Sequence, residues 1–137
     1  IEEDLRNFLA VQYKDKNLTT SEMDSIVANL RNTGGQNDYY ALRNTFLLYR
    51  DGYDFAYSDG RSNPFRLEYI DFEHPDHNIF RCVNQFVMEQ GRENRRPDIL
   101  LFINGIPVCI IELKNPTKQN ATIHDAHTQI CGIFRHC

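Results

Sequence analysis

The sequence lacks a basic excess, a long apolar run and a nucleotide-binding glycine loop, and each absence removes a class of function. Fifteen Lys and Arg stand against nineteen Asp and Glu, a formal charge of −4. Proteins that hold nucleic acid by phosphate neutralisation alone carry the opposite balance, so an independent DNA binder of that kind is excluded. No uninterrupted apolar stretch approaches the roughly 18 residues of a membrane-spanning helix, so no membrane partner is expected. The opening residues Ile1, Glu2, Glu3 and Asp4 are not the basic start of a signal peptide. No G-x-x-x-x-G-K-[ST] motif occurs, which excludes ATP hydrolysis through a P-loop in this stretch. The four cysteines, at 82, 109, 131 and 137, have no framework spacing. They read as small buried thiols of a reduced, cytoplasmic protein.

What is present is globular: 41% hydrophobic and 12% aromatic residues in a chain of 137. That length predicts a single domain over 1–137. With no initial Met and with Cys137 inside an expected helix, the domain reads as a fragment of a longer chain. A helical lead-in is predicted over 1–50. Leu5, Phe8 and Leu9 share one face of a helix from Glu2 to Tyr13. Thr19-x-x-Glu22 is a capping box opening a second helix through Met23, Ile26, Val27 and Leu30. A third helix is predicted from Asp38 to Arg50, with Tyr39, Tyr40, Leu42, Phe46 and Tyr49 as core or helix-packing residues. After Gly52 the texture turns to strands over 53–115: Tyr53–Tyr57, Arg66–Phe72, Ile79–Met88 and two apolar runs, Ile99–Ile103 and Val108–Leu113. Residues 91–96 read as a polar, basic loop, and a last helix is predicted over 120–137. The class is α+β, with N-terminal helices followed by a mixed sheet flanked by helices.

Asn104-Gly105 between the two apolar runs is a strong hairpin signal. Pro97-Asp98 opens the first of these strands and Glu112-Leu113-Lys114 closes the second. Glu112 and Lys114, two apart, point to the same face of a strand. Charges clustered at the end of a buried strand need compensation, which a divalent cation supplies. Converging carboxylates offer hard oxygen ligands suited to Mg²⁺. A lysine beside them can orient or deprotonate a water and neutralise phosphate charge. A regular hairpin with a two-residue loop would pair Asp98 with Ile111 and turn Glu112 away. A shared cation site therefore requires a register centred on Gly105, as with a three-residue or bulged loop (Asn104-Gly105-Ile106), or a distorted strand start at Pro97, and one of these is expected. Taken without its context, the same pattern describes a surface ion pair. Arg92, Arg95 and Arg96, just before Asp98, would either contact phosphate or form a solvated loop.

The stretch Asn84-Gln85-Phe86, then Arg96-Pro97-Asp98 through Phe102, Asn104-Gly105 and Pro107 to Glu112, Lys114 and Asn115-Pro116, resembles the N-terminal nuclease region of the restriction (R) subunit of type I restriction–modification enzymes. That region belongs to the PD-(D/E)xK nuclease superfamily. The resemblance covers roughly residues 50–135, with Tyr69-Ile70-Asp71-Phe72 and Asn78-Ile79-Phe80 as its leading strands. It implies a restriction-endonuclease-like fold and a type I site-specific deoxyribonuclease that cleaves double-stranded DNA with Mg²⁺. The metal-binding acids then fall on Asp98 and Glu112 and the catalytic lysine on Lys114. Of the family's Gln-x-x-x-Tyr motif, Gln129 is present, for contact with DNA or active-site support, but Ile133 replaces the tyrosine and Phe134 follows it. A glutamate of the first helix, Glu2 or Glu3, is a further expected contributor. The implied partners are DNA and the modification and specificity subunits. ATP would enter only through a motor region that this stretch does not contain.

Other readings remain open. His124, His127 and Cys131 share a helix face, with His136 and Cys137 following, so a non-catalytic assembly or zinc-binding module is one alternative. Their spacing fits no standard zinc framework. A repair or recombination nuclease of the same superfamily is another. His74 and His77, flanking Pro75, read as solvated loop residues.

Overall fold

The computed structural model of the chain describes residues 2–31, 38–90, 93–113 and 122–134. The fold is α+β, and it divides into two compact units, Ile1–Ile79 and Phe80–Cys137. Among the described residues, no helix is long and apolar enough to cross a membrane.

The first unit carries helices α1 (Glu2–Gln12), α2 (Thr20–Arg31) and α3 (Asp38–Asp51). Leu5, Phe8 and Leu9 are buried on α1, the spacing of a single helical stripe. The expected capping box opens α2. The Glu22 carboxylate accepts the Thr19 N–H at 2.9 Å and hydroxyl at 3.0 Å, and the Glu22 N–H donates to the Thr19 hydroxyl at 3.3 Å. The same carboxylate takes both arms of the Arg61 guanidinium at 2.8 and 2.7 Å. Arg61 in turn lies 4.2 Å over the Tyr57 ring. Arg61, then the Thr19 backbone N–H, hold the Glu22 carboxyl down at about 2.

Strands β1 (Tyr53–Phe55) and β2 (Phe65–Leu67) pair antiparallel, Tyr53 against Leu67 and Phe55 against Phe65. An aromatic cluster surrounds them. Phe65 lies 5.3 Å from Tyr13 and 5.5 Å from Phe55, ring to ring. Tyr69 is fully buried, and its hydroxyl donates to the Ile26 carbonyl of α2 at 2.8 Å. Gly52, at φ +64, ends α3 with its N–H on the Leu48 carbonyl. A Cβ at this position would lie 2.0 Å from the Leu67 carbonyl oxygen, so both conformation and space demand glycine.

Two expectations for this unit are corrected. The strand predicted over Arg66–Phe72 stops at Leu67. Beyond it the Tyr13 hydroxyl replaces a strand partner, accepting the Glu68 N–H at 2.7 Å and donating to the Glu68 carbonyl at 3.3 Å. Tyr69, Ile70 and Asp71 are then all buried, without alternation. On α3, Tyr39, Tyr40, Leu42 and Phe46 are exposed rather than core. Helical periodicity names the apolar face of a helix but not what covers it.

The second unit holds β3 (Phe80–Asn84), β4 (Met88–Gln90), β5 (Glu93–Arg95), β6 (Ile99–Ile103), β7 (Ile106–Ile111) and α4 (Ile123–Phe134). Strands β3, β6 and β7 form an antiparallel sheet in the order β3-β6-β7, and β4 pairs separately with β5. Every pairing described in the chain is antiparallel, in three small sheets. The strand predicted over Ile79–Met88 breaks at Gln85, which takes φ 52 and donates its N–H to the Asp98 carbonyl at 2.8 Å. The chain is thereby released from β6 and pairs as β4 with β5, so residues 93–95 are strand where a loop was expected. Cys82 and Cys109 are exposed and Cys131 half-buried, not buried as predicted. Cys82 and Cys109 flank Leu101 in register, on the sheet face opposite the buried Leu100 and Phe102. Cys137 lies outside the described residues. A second capping box, Thr122 with Asp125, opens α4.

Two predictions test this fold. Because folding lowers the Glu22 carboxyl, its contribution is fully present above the ordinary carboxylate range and disappears as pH falls toward about 2. The urea midpoint of Glu22→Gln should fall below that of the parent, with the gap widest above about pH 5 and closing on acidification. Gly52→Ala should destabilise by at least ~1–2 kcal/mol in the same measurement, from the left-handed conformation alone.

Candidate active site

The hairpin that carries the candidate acids turns on Asn104 and Gly105, at φ 51 and φ 76, between Ile103 and its partner Ile106. Left-handed values at both positions are those of a type I′ turn. A regular ladder from this turn would set Asp98 against Ile111. Instead Phe102 pairs with Pro107 and Leu101 with Cys109, leaving Val108 unopposed. This one-residue bulge shifts all later pairs, so that Leu100 meets Ile110 and Ile99 meets Ile111. Extended by one residue, the register sets Asp98 opposite Glu112. The pairs beyond the bulge are thus centred on Gly105 as required, and the shift arises within β7 rather than in the loop itself.

Burial agrees with this register. Cys109, Ile111 and Leu113 are exposed, whereas Ile110 and Glu112 are half-buried. Glu112 therefore falls on the face of Ile110, and Asp98 on that of Leu100 and Phe102. Asp98 is half-buried after the fully buried Pro97, and its Oδ2 accepts the Leu113 N–H at 2.7 Å. Its backbone carbonyl is held by Gln85, and Phe86 packs edge-on against Phe102 at 5.6 Å. Glu112 Oε2 is shielded from solvent. Two carboxylates at one end of one face, one with a shielded oxygen, form a donor set that suits a hard divalent cation.

The remaining sequence-predicted residues are distributed as follows. Arg96 is exposed next to Pro97. Arg95 belongs to β5, and its side chain lies outside the described residues. Lys114 and Arg92 lie wholly outside them. Gln129 and Ile133 are on α4, with side chains likewise outside. Glu2 accepts hydrogen bonds from Arg6 and Arg31 within the first unit. On α4, His127 and Cys131 approach within 3.5 Å, one turn apart, but the expected trio with His124 does not converge among the described residues. His136 and Cys137 lie outside.

Sequence reasoning missed Val108 and Gln85, which set the register and the strand exit. A signal for the first was present. Pro107 has no N–H for a ladder, and prolines within sheets sit on edge strands or at bulges; here Pro107 is beside the bulge on the edge strand β7.

Residues 2–133 match the family described as the type I restriction enzyme R protein N terminus. The chain belongs to this family. It is 34% identical over 123 residues to the type I restriction enzyme HindI endonuclease subunit of Haemophilus influenzae, covering 88% of this chain and 12% of that protein. A Methanocaldococcus jannaschii protein that carries the name of a type I restriction enzyme endonuclease subunit, MjaIXP, is 49% identical over 63 residues, 44% of this chain and 6% of its own length. The family match runs through both compact units. No solved structure matches the chain.

Asp98 also has a structural duty that can be read apart from any reaction. Asp98→Ala should raise the hydrogen-exchange rate of the Leu113 amide by roughly tenfold, the loss of one charge-assisted bond. Amide exchange followed by NMR checks this.

Proposed function

We propose that the chain is the DNA-cleaving module of a type I restriction enzyme R subunit, a nuclease of the PD-(D/E)xK kind that hydrolyses phosphodiesters of double-stranded DNA with Mg²⁺. The observation that supports this reading is the β7 bulge, because the register beyond it, carried one residue past Ile99 and Ile111, would set Asp98 opposite Glu112 at one end of one face. Membership of the R protein N-terminal family supports it. Asp98 and Glu112 would hold Mg²⁺ through hard carboxylate oxygens. When bound, the ion supplies charge stabilisation at the phosphate and lowers the pKa of a coordinated water. Lys114, two residues beyond Glu112, orients or deprotonates the attacking water. The water oxygen bonds to phosphorus, the bond to one sugar oxygen breaks, and that oxygen leaves with a proton. Arg92, Arg95, Arg96 and Gln129 would contact the phosphates beside the scissile bond.

With a net charge of −4, such a module depends on partners for its grip. The modification and specificity subunits would position DNA, and ATP would act through a motor region elsewhere in the R subunit. Such an assembly works in the cytoplasm. The isolated chain should then bind double-stranded DNA no more tightly than about 1 μM at physiological salt.

The test uses the intact restriction complex. Asp98→Ala, Glu112→Ala and Lys114→Ala should each lower cleavage by at least about a hundredfold while ATP-driven translocation continues. Cleavage that survives all three substitutions would sink the proposal.

A further inference from the structure

We infer that Asp71, His74 and His77, in the loop that follows β2, form a binding site for a divalent transition-metal ion of the Zn²⁺ class. The sequence suggested two solvated histidines. Their side chains are indeed 62% and 51% exposed, yet they are not scattered. The two rings stack at 5.0 Å with an interplanar angle of 16°. Both turn Nδ1 toward the buried Asp71 carboxylate: His77 Nδ1 is 3.0 Å from Oδ2 and His74 Nδ1 is 3.8 Å from Oδ1. One ligand atom from each of the three residues lies within 4.8 Å of the others. Donors around a tetrahedral ion with bonds of about 2.0 Å are about 3.3 Å apart. The His77 separation lies close to that value, whereas the His74 separation runs to the other carboxylate oxygen, so ligation asks the rings to turn toward a point shared with one Asp71 oxygen.

The loop is also braced. The Asp71 N–H donates to Asn78 Oδ1 at 2.9 Å, and Asn78 Nδ2 donates to the carbonyls of Asp71 at 2.7 Å and Pro75 at 3.0 Å. The His74 N–H donates to Asp71 Oδ1 at 2.8 Å, and the His77 N–H to the His74 carbonyl at 3.0 Å. From α1, Gln12 Nε2 donates to Asp71 Oδ2 at 3.1 Å, the kind of outer support that orients a ligating carboxylate. The 3-10 turn Pro75–His77 separates the two histidines, with His74 as its N-cap residue and His77 as its last.

Donor chemistry selects the ion. Two imidazole nitrogens and one carboxylate oxygen disfavour Mg²⁺ and Ca²⁺ and suit Zn²⁺, Co²⁺, Ni²⁺ or Cu²⁺. Three protein ligands, two of them solvent-exposed, leave a position for water or an anion, so the ion would exchange rather than be locked in a closed structural knot. The rival explanation is purely local: one imidazole hydrogen-bonded to a buried carboxylate and a second stacked on it, with no affinity for metal.

Cobalt titration of the chelator-washed chain separates the two. We expect one Co²⁺ per chain, with visible d–d absorption, displaced by Zn²⁺ and not by excess Mg²⁺. His74→Ala and His77→Ala should each weaken binding by more than about tenfold, and Gln12→Ala by about tenfold. Cys131→Ser should leave binding unchanged. In the unsubstituted chain, Co²⁺ should broaden the amide resonances of His74, Asp76, His77 and Asn78, a readout independent of whether the variants fold. Absence of binding, full affinity in the doubly substituted histidine variant, or a thiolate charge-transfer band lost with Cys131→Ser would each overturn the assignment.

Discussion

Alternation along a strand has a period of two, so which side chains Asp98 shares a face with depends on the parity of its register with β7. The unopposed Val108 changes that parity for every residue after it. Ile110 and Glu112 are thereby brought to the face of Leu100 and Asp98, while Cys109 and Ile111 turn outward. The position of the bulge is not arbitrary. The two left-handed turn residues fix the near end of the hairpin, and Pro107 weakens the ladder at the next pair but one. At the far end, Gln85 ties the Asp98 carbonyl and ends β3 where Asn84 meets Ile99. Turn, bulge and tie together leave little freedom in where the two carboxylates lie along the sheet.

The first unit solves a different problem, that of seating charged and polar groups close to an aromatic core. Glu22 is almost wholly buried, yet it is served by the capping box on one side and a two-pronged arginine on the other. Arg61 stacks on Tyr57 as it does so, which joins the helix start to the β1–β2 region through one guanidinium. The hydroxyls of Tyr13 and Tyr69 reach backbone groups at Glu68 and Ile26, so the aromatic side chains bury area without stranding their polar ends. Asp71 follows the same rule, surrounded by donors from Gln12, His74 and His77.

How far each feature was legible in the sequence follows the distance over which its cause acts. The Thr19–Glu22 box and the Asn104-Gly105 turn are complete within four residues, and both form as expected. The ends of β2 and β3 are not local. Tyr13 lies 55 residues from the Glu68 backbone that it captures, and Gln85 leaves its strand for a carbonyl 13 positions on. Hydrophobic periodicity identified the apolar stripe of α3 but had no means of telling an exposed stripe from a covered one. The acids of the hairpin were recognisable from pattern and resemblance. Their common face was legible only as a condition on register, since a regular hairpin separates them and the bulge at Val108 that meets the condition was not located. The histidine pair read as solvated loop because its third member, Asp71, looked like an ordinary strand residue until the chain turned after Leu67.

The two candidate cation sites differ in a way that matters for their chemistry. Asp98 and Glu112 offer oxygen alone, from a half-buried pair in the second unit. Asp71, His74 and His77 offer mainly nitrogen, from an exposed pair of rings on a buried carboxylate in the first. Hard Mg²⁺ gains little from imidazole, and Zn²⁺ gains most where imidazole is present. A chain carrying both donor sets would sort the ions by ligand type, without needing rigid size selection at either place. Trace Zn²⁺ would then be drawn to the histidine loop in preference to the carboxylate pair, leaving oxygen donors to the abundant hard cation that phosphodiester chemistry uses.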